Sequence, residues 1–329
     1  MMANYHQLNP IIRLKEETLL SAQVMEQLIT AADFEQVEQL LATTIYGTYL
    51  SEDFQATFES SLDHEFLVTI KELIEWVPDI DILRLYMLPF TFHNLKILTK
   101  ESVTGKSYSH LLIEDGFYTF DEIRNAIQTG TSEGLPDKVL ETIQEVREYI
   151  GKSAVLQGID IIYDRRFLHE QRRLADKINI PALTEAVTAS IDLTNLTIAA
   201  RCVLQHRSRS FMAAVLVSVG RIEKETLLDF AEGPFSAYIA FLQQSPYQEV
   251  FTPLIQGETL DFAGLAVMQD NLVTEHFNQA QIDALGPLPL LAFINAKERE
   301  IQNLRLLLVG KRSGFTQGQI RERMRDYGE

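Results

Sequence analysis

Two Gly-Lys-Ser triplets, Gly105-Lys106-Ser107 and Gly151-Lys152-Ser153, have the most direct route to chemistry, because this triplet closes a phosphate-binding loop. Such a loop needs another glycine five residues before the first, so that backbone amides can wrap the phosphates. Those positions hold Lys100 and Val146. Neither triplet follows a hydrophobic strand and no G-x-G-x-x-G occurs, so nucleotide binding by this chain is not expected. His64-Glu65 and His169-Glu170 open like the zinc motif H-E-x-x-H, but Val68 and Arg173 stand where the second histidine belongs. No G-x-S-x-G elbow is present. The expectation is a chain with no catalytic residue, no cofactor and no metal.

A different set of marks recurs. Asp63 returns as Asp164, Phe66-Leu67 as Phe167-Leu168, Asn94-Leu95 as Asn195-Leu196, and Lys106-Ser107-x-Ser109 as Arg207-Ser208-x-Ser210, all at an offset of 101. A looser third copy has Asp270-Asn271-Leu272-Val273 and Asn303-Leu304. Three copies of one unit make an array, and the array decides the fold. The units expected are 1–105, 106–210 and 211–329. Asn94, Asn195 and Asn303 are the repeated polar residues. An asparagine is a weak helix former whose amide wants partners, so all three are expected to bond a neighbouring helix or bend rather than a ligand.

The elements that must carry these marks are helical nearly throughout. Phe34, Val37, Leu40 and Leu41 recur at helical spacing, as do Ile70, Leu73 and Ile74, and Val139, Leu140, Ile143 and Val146. Only short stretches such as Ile159 to Tyr163 could be strand, and helical periodicity accounts for that one too. Each unit bends at proline: Val77-Pro78-Asp79, Asn179-Ile180-Pro181 and Gly286-Pro287-Leu288-Pro289. The unit is thus a helix, a corner, and a second helix carrying the asparagine. A smaller element appears four times: Asp33-Phe34, Gly116-Phe117, Gly220-Arg221-Ile222 and Gly314-Phe315 each precede a short amphipathic helix. The fold class is all-α.

The charge is −17, with a pI near 4.9, which opposes binding of nucleic acid by the chain as a whole. The single cysteine, Cys202, sits in an apolar helical pattern as a small hydrophobe, and no internal disulfide can form. No uninterrupted apolar run reaches the roughly 18 residues of a membrane span, and no signal-peptide core opens the chain, so a cytoplasmic protein without membrane insertion is expected. Charge is uneven: basic residues gather between Lys297 and Asp326 and again at Arg165, Arg166, Arg172 and Arg173. Lys311, Arg312, Arg321, Arg323 and Arg325 are therefore candidates for contact with an acidic partner, or for neutralising acids within the chain.

The segment Tyr46-Gly47-Thr48-Tyr49-Leu50, the three Asn-Leu helices, and the run from Asn295 through Lys311 followed by Gly314-Phe315 resemble the C subunits of the V-type/A-type rotary ATPases (ATP synthases), relatives of the d subunit of eukaryotic V-ATPases. The resemblance spans the chain. It implies three similar helical domains arranged as a funnel around a pseudo-threefold axis. It also implies a non-catalytic central-stalk component at the cytoplasmic face of the membrane, peripheral through its complex. Its partners would be the central-shaft subunits D and F and the membrane rotor ring, between which it would transmit torque for transport of H+ or Na+. The reading from another class is a free α-helical repeat scaffold binding proteins or peptides on a concave face.

Overall fold

The computed structural model describes residues 5–153, 155–277 and 285–327. Sixteen α-helices occur among them. The first eight are α1 (Leu8–Glu16), α2 (Ala22–Thr30), α3 (Phe34–Leu41), α4 (Phe54–Ile74), α5 (Ile80–Thr104), α6 (Phe120–Thr129), α7 (Asp137–Ile150) and α8 (Leu156–Ile178). There follow α9 (Pro181–Leu204), α10 (Arg209–Val215), α11 (Lys224–Leu228), α12 (Phe235–Leu242), α13 (Gln248–Phe251), α14 (Phe262–Glu275), α15 (Leu288–Arg312) and α16 (Gln317–Arg321). The described strand is one small antiparallel hairpin, Ile255–Gln256 with Thr259–Leu260, paired Ile255 to Leu260. The all-α expectation holds, and Ile159 to Tyr163 lies within α8.

Local chemistry sets the helix ends. Asp33 caps α3 by accepting from Gln36 N at 2.9 Å, and the Gln36 side chain accepts from Ala32 N. Thr119 caps α6, and Thr316 with Gln319 forms a reciprocal capping box on α16. The corner between α4 and α5 contains Pro78, with Asp79 capping α5. Asn179 stops α8 in the left-handed region at φ 56°, and Pro181 opens α9, where its missing N–H costs nothing. The four small elements become α3, α6, α11 and α16. Pro89 lies inside α5 without ending it.

The chain forms two compact units: Met1–Pro78 with Ile239–Glu329, and Asp79–Tyr238. In the first, α15 packs on α4 and α1. Its aromatic cluster of Phe34, Phe54 and Phe58 has ring centroids 6.2–6.3 Å apart. In the second, α8 packs on α5, α7 and α9. Phe92 meets Tyr163 edge-on at 6.3 Å, and the Tyr163 hydroxyl lies 2.8 Å from Thr99 Oγ1. By length and composition α9 is apolar enough to cross a membrane, yet 67% of its apolar window is buried in the protein. Fully buried Asp192 and Asn195 lie on it, so it is a core helix.

Candidate functional site: three pinned helix ends and a buried lysine

Asn94, Asn195 and Asn303 are each fully buried, on α5, α9 and α15. Each amide makes the same pair of bonds to the backbone of one residue further along. Asn94 Nδ2 donates to Ile113 O at 2.5 Å, and Ile113 N donates to Asn94 Oδ1 at 3.0 Å. Asn195 holds Val217 at 2.9 and 3.1 Å. Asn303 holds Arg325 at 3.0 and 2.9 Å. A carboxamide carries a donor and an acceptor side by side, as a peptide group does, so it can pair with a returning backbone as a neighbouring strand would.

Between each asparagine and its partner the chain makes the same turn. A left-handed residue stands eleven positions after each: Gly105 at φ 68°, His206 at φ 51° and Gly314 at φ 75°. Two residues later comes a hydroxyl, Ser107, Ser208 or Thr316, which accepts from the backbone of the next short helical element. The partner lies 19 residues beyond Asn94 but 22 beyond Asn195 and Asn303. The first copy is shorter because a three-residue 3-10 turn, Ser109–Leu111, replaces α10 or α16. The third-copy marks converge on the same place: Asp270 accepts from Arg325 Nε at 2.7 Å, and Asn271 Oδ1 accepts from Asp326 N at 3.2 Å.

Buried aspartates fix two of the small elements. Asp115 Oδ1 accepts from Phe117 N and Tyr118 N at 2.9 Å each, and Oδ2 accepts from Thr91 Oγ1 at 2.7 Å. Asp192 Oδ1 accepts from Arg221 N and Ile222 N at 2.8 and 3.0 Å. Position 220 must be glycine, since a Cβ there would lie 2.1 Å from that oxygen. Burial pushes the Asp115 carboxyl up, against the pull of its hydrogen bonds.

The two Gly-Lys-Ser triplets sit where phosphate binding is unfavourable. Gly105 ends α5 and Gly151 ends α7. A phosphate loop opens a helix, with amides and the positive end of the dipole toward the anion, whereas these triplets follow carbonyl ends. His64-Glu65 and His169-Glu170 are likewise absorbed locally. Glu65 accepts from Tyr49, Glu170 pairs with Arg173, and His64 meets the Tyr49 ring edge-on. Cys202 is buried, and burial pushes its thiol up.

A cluster around Lys297 is not apparent in the sequence. This ammonium is 1% exposed and lies 3.0 Å from Glu65 Oε1, 3.2 Å from Glu300 Oε1 and 3.0 Å from the Tyr46 hydroxyl. Tyr46 donates to Glu300 Oε1 at 2.6 Å, and Tyr49 donates to Glu65 Oε2 at 2.8 Å. Burial first, and then the adjacent carboxylates, hold both tyrosines far above the usual phenol range. The Tyr46–Leu50 segment and the run after Asn295 are thus two halves of one buried network. The available signal was Lys297 and Glu300 standing one turn apart on the side of α15 that also carries Ile294, Ile301 and Leu304.

The basic run is largely engaged within the chain. Lys311 donates to the carbonyls of Ile29 and Ala31, where α2 ends. Arg312 lies 3.4 Å from Glu59, Arg321 pairs with Glu26, and Arg325 pairs with Asp270. Exposed Arg323 rests over the Phe315 ring at 5.3 Å. The second cluster is bound too: Arg165 and Arg166 meet Glu145, Arg172 meets Asp176, and Arg173 meets Glu170.

A long helix ended by an asparagine-held return, three times in one chain, is an architecture that comparison with known proteins can identify. A profile of the family described as ATP synthase (C/AC39) subunit matches residues 8–323. The chain belongs to that family. It is 44% identical to the C subunit of the V-type sodium ATPase of Enterococcus hirae over 321 residues, covering 98% of both chains. It is 22% identical to the C subunit of the V-type ATP synthase of Thermus thermophilus, covering 98% of both. It is 23% identical to the C subunit of the A-type ATP synthase of Methanocaldococcus jannaschii, covering 97% of this chain and 86% of that one. As a family member it is a non-catalytic component of a rotary ATPase, peripheral in a membrane-associated complex.

Proposed function

We propose that the chain is the socket between the central shaft, subunits D and F, and the membrane rotor ring. It would transmit torque between ATP hydrolysis and transport of H+ or Na+ on the cytoplasmic side. The observation that carries this is the near-complete match, at 44% identity, to the C subunit of a V-type sodium ATPase. What the chain brings of its own suits the task. Close-packed helices yield little under strain, and the three long asparagine helices have their ends tied back by paired bonds. Three units, 1–105, 106–210 and 211–329, disposed as a funnel about a pseudo-threefold axis, belong to this proposal. The recurrence of one pinned turn on α5, α9 and α15 supports them.

Within this reading, Lys311, Arg312, Arg321, Arg323 and Arg325 are contact candidates of unequal standing. Arg312, Arg321 and Arg325 pair with acids of the chain and Lys311 with the carbonyl end of α2, so an internal role is the stronger one for these four, and exposed Arg323 is the better contact candidate. The test is capture of tagged chain with purified D–F shaft and, separately, with detergent-solubilised ring. Stoichiometric capture of both is expected. Capture of neither, with diverse helical clients instead, would replace the socket by a free scaffold.

A further inference from the structure

The unit made of Met1–Pro78 and Ile239–Glu329 is built from the two ends of the chain, and polar ties join those ends along α15 and the segment after it. Lys297 meets Glu65 and Tyr46, and Glu300 accepts from Tyr46 and from the Leu20 backbone. Arg305 pairs with Asp63. Arg312 meets Glu59 and stacks on Phe58 at 4.9 Å, while Arg321 pairs with Glu26. The cations come from the carboxy-terminal part and the acids mainly from the amino-terminal part. As numbers rise along α15, partners on α4 fall from Glu65 through Asp63 to Glu59, so the two helices are fastened antiparallel.

We propose that this ladder is a clasp, a charge-latched joint that holds the two chain ends as one body and opens as a unit, with Lys297 as its buried bolt. The outer ties are half exposed, so each contributes little by itself. The inner tie is different in kind. Lys297 and Glu300 are almost wholly buried, and removing one partner strands the other's charge away from water. The ties therefore cannot be lost evenly: the outer ones can break singly, and loss of the inner cluster frees α1, α2 and α4 from α15 together. The inference concerns the isolated chain and does not depend on the socket reading.

Hydrogen exchange by mass spectrometry on the full chain tests it. In Lys297→Met, which leaves Glu65 and Glu300 without their cation, amides of α1, α2, α4 and α15 are expected to exchange on the order of a hundredfold faster, while α5–α9 keep their rates. Arg305→Asp sets two carboxylates face to face and is expected to speed the same amides roughly tenfold, with the swap Arg305→Asp plus Asp63→Arg restoring most of the protection. Unchanged exchange in Lys297→Met would overturn the clasp, as would equal acceleration throughout the chain. If Lys297→Met does not fold, the swap decides: absence of rescue overturns the proposal.

Discussion

The asparagine at 94, 195 and 303 does a job that few side chains can do. Leucine at any of the three would leave a backbone N–H and C=O without partners, buried at Val217 and partly buried at Ile113 and Arg325, and aspartate would place an unpaired charge against a carbonyl. Replacing Asn195 or Asn303 by leucine is expected to cost about 2–3 kcal/mol in urea unfolding, with the larger effect at Asn195, whose bonds are the more buried. Where Gly105 and Gly314 take the left-handed residue of the first and third turns, the second has His206 at φ 51°, a conformation that costs a side chain about 1–2 kcal/mol. His206→Gly is expected to raise stability by up to about 1 kcal/mol in the same measurement, since glycine's freedom in the unfolded chain offsets part of the gain. The asparagines are visible in the sequence as repeated residues, and their structural role is legible from chemistry alone. The left-handed position is hidden in the second copy because histidine does not announce a turn as glycine does.

Helices, corners and the small capped elements are legible because each is set by neighbours in sequence: Asp33 with Gln36, Asn179 before Ile180-Pro181, Thr316 with Gln319. Which helices pair is not legible. Periodicity shows that α4 and α15 each have apolar faces but not that the faces meet, and they stand over two hundred residues apart. In the sequence Lys297 is one more residue of a basic run for the same reason, since its burial exists only once α4 and the Tyr46–Tyr49 turn close over it. The joint of α5 with α8 has its own polar tie, where Asp81 meets Lys177 and, at 3.0 Å, Arg84. Burial alone would raise the Asp81 carboxyl, but Lys177 and Arg84 outweigh it and hold the group below its usual range. A depressed carboxyl stabilises the fold above the unfolded value near 4, and that contribution is lost as pH falls through the lower folded value. Because both cations are partly exposed, the contribution is modest. Asp81→Asn is expected to lower stability by about 1–2 kcal/mol at pH 7 and to flatten the pH dependence below about pH 4, followed by urea midpoints across that range.

For the whole molecule, family membership makes the chain a non-catalytic component of a rotary ATPase, and the role proposed for it is to carry load. Its polar groups hold helix ends and chain ends, its lysine triplets follow the wrong ends of helices for phosphate, and its family supplies a non-catalytic component of rotary ATPases. Such a part should matter to coupling and not to hydrolysis as such. The direct measurement is ATP-driven ion transport in vesicles carrying the rotary complex, assembled with and without this chain, with hydrolysis followed in parallel. The account predicts that the catalytic head hydrolyses ATP in both cases but that ions move only when the chain is present. Ion transport at full rate per ATP without the chain would contradict it.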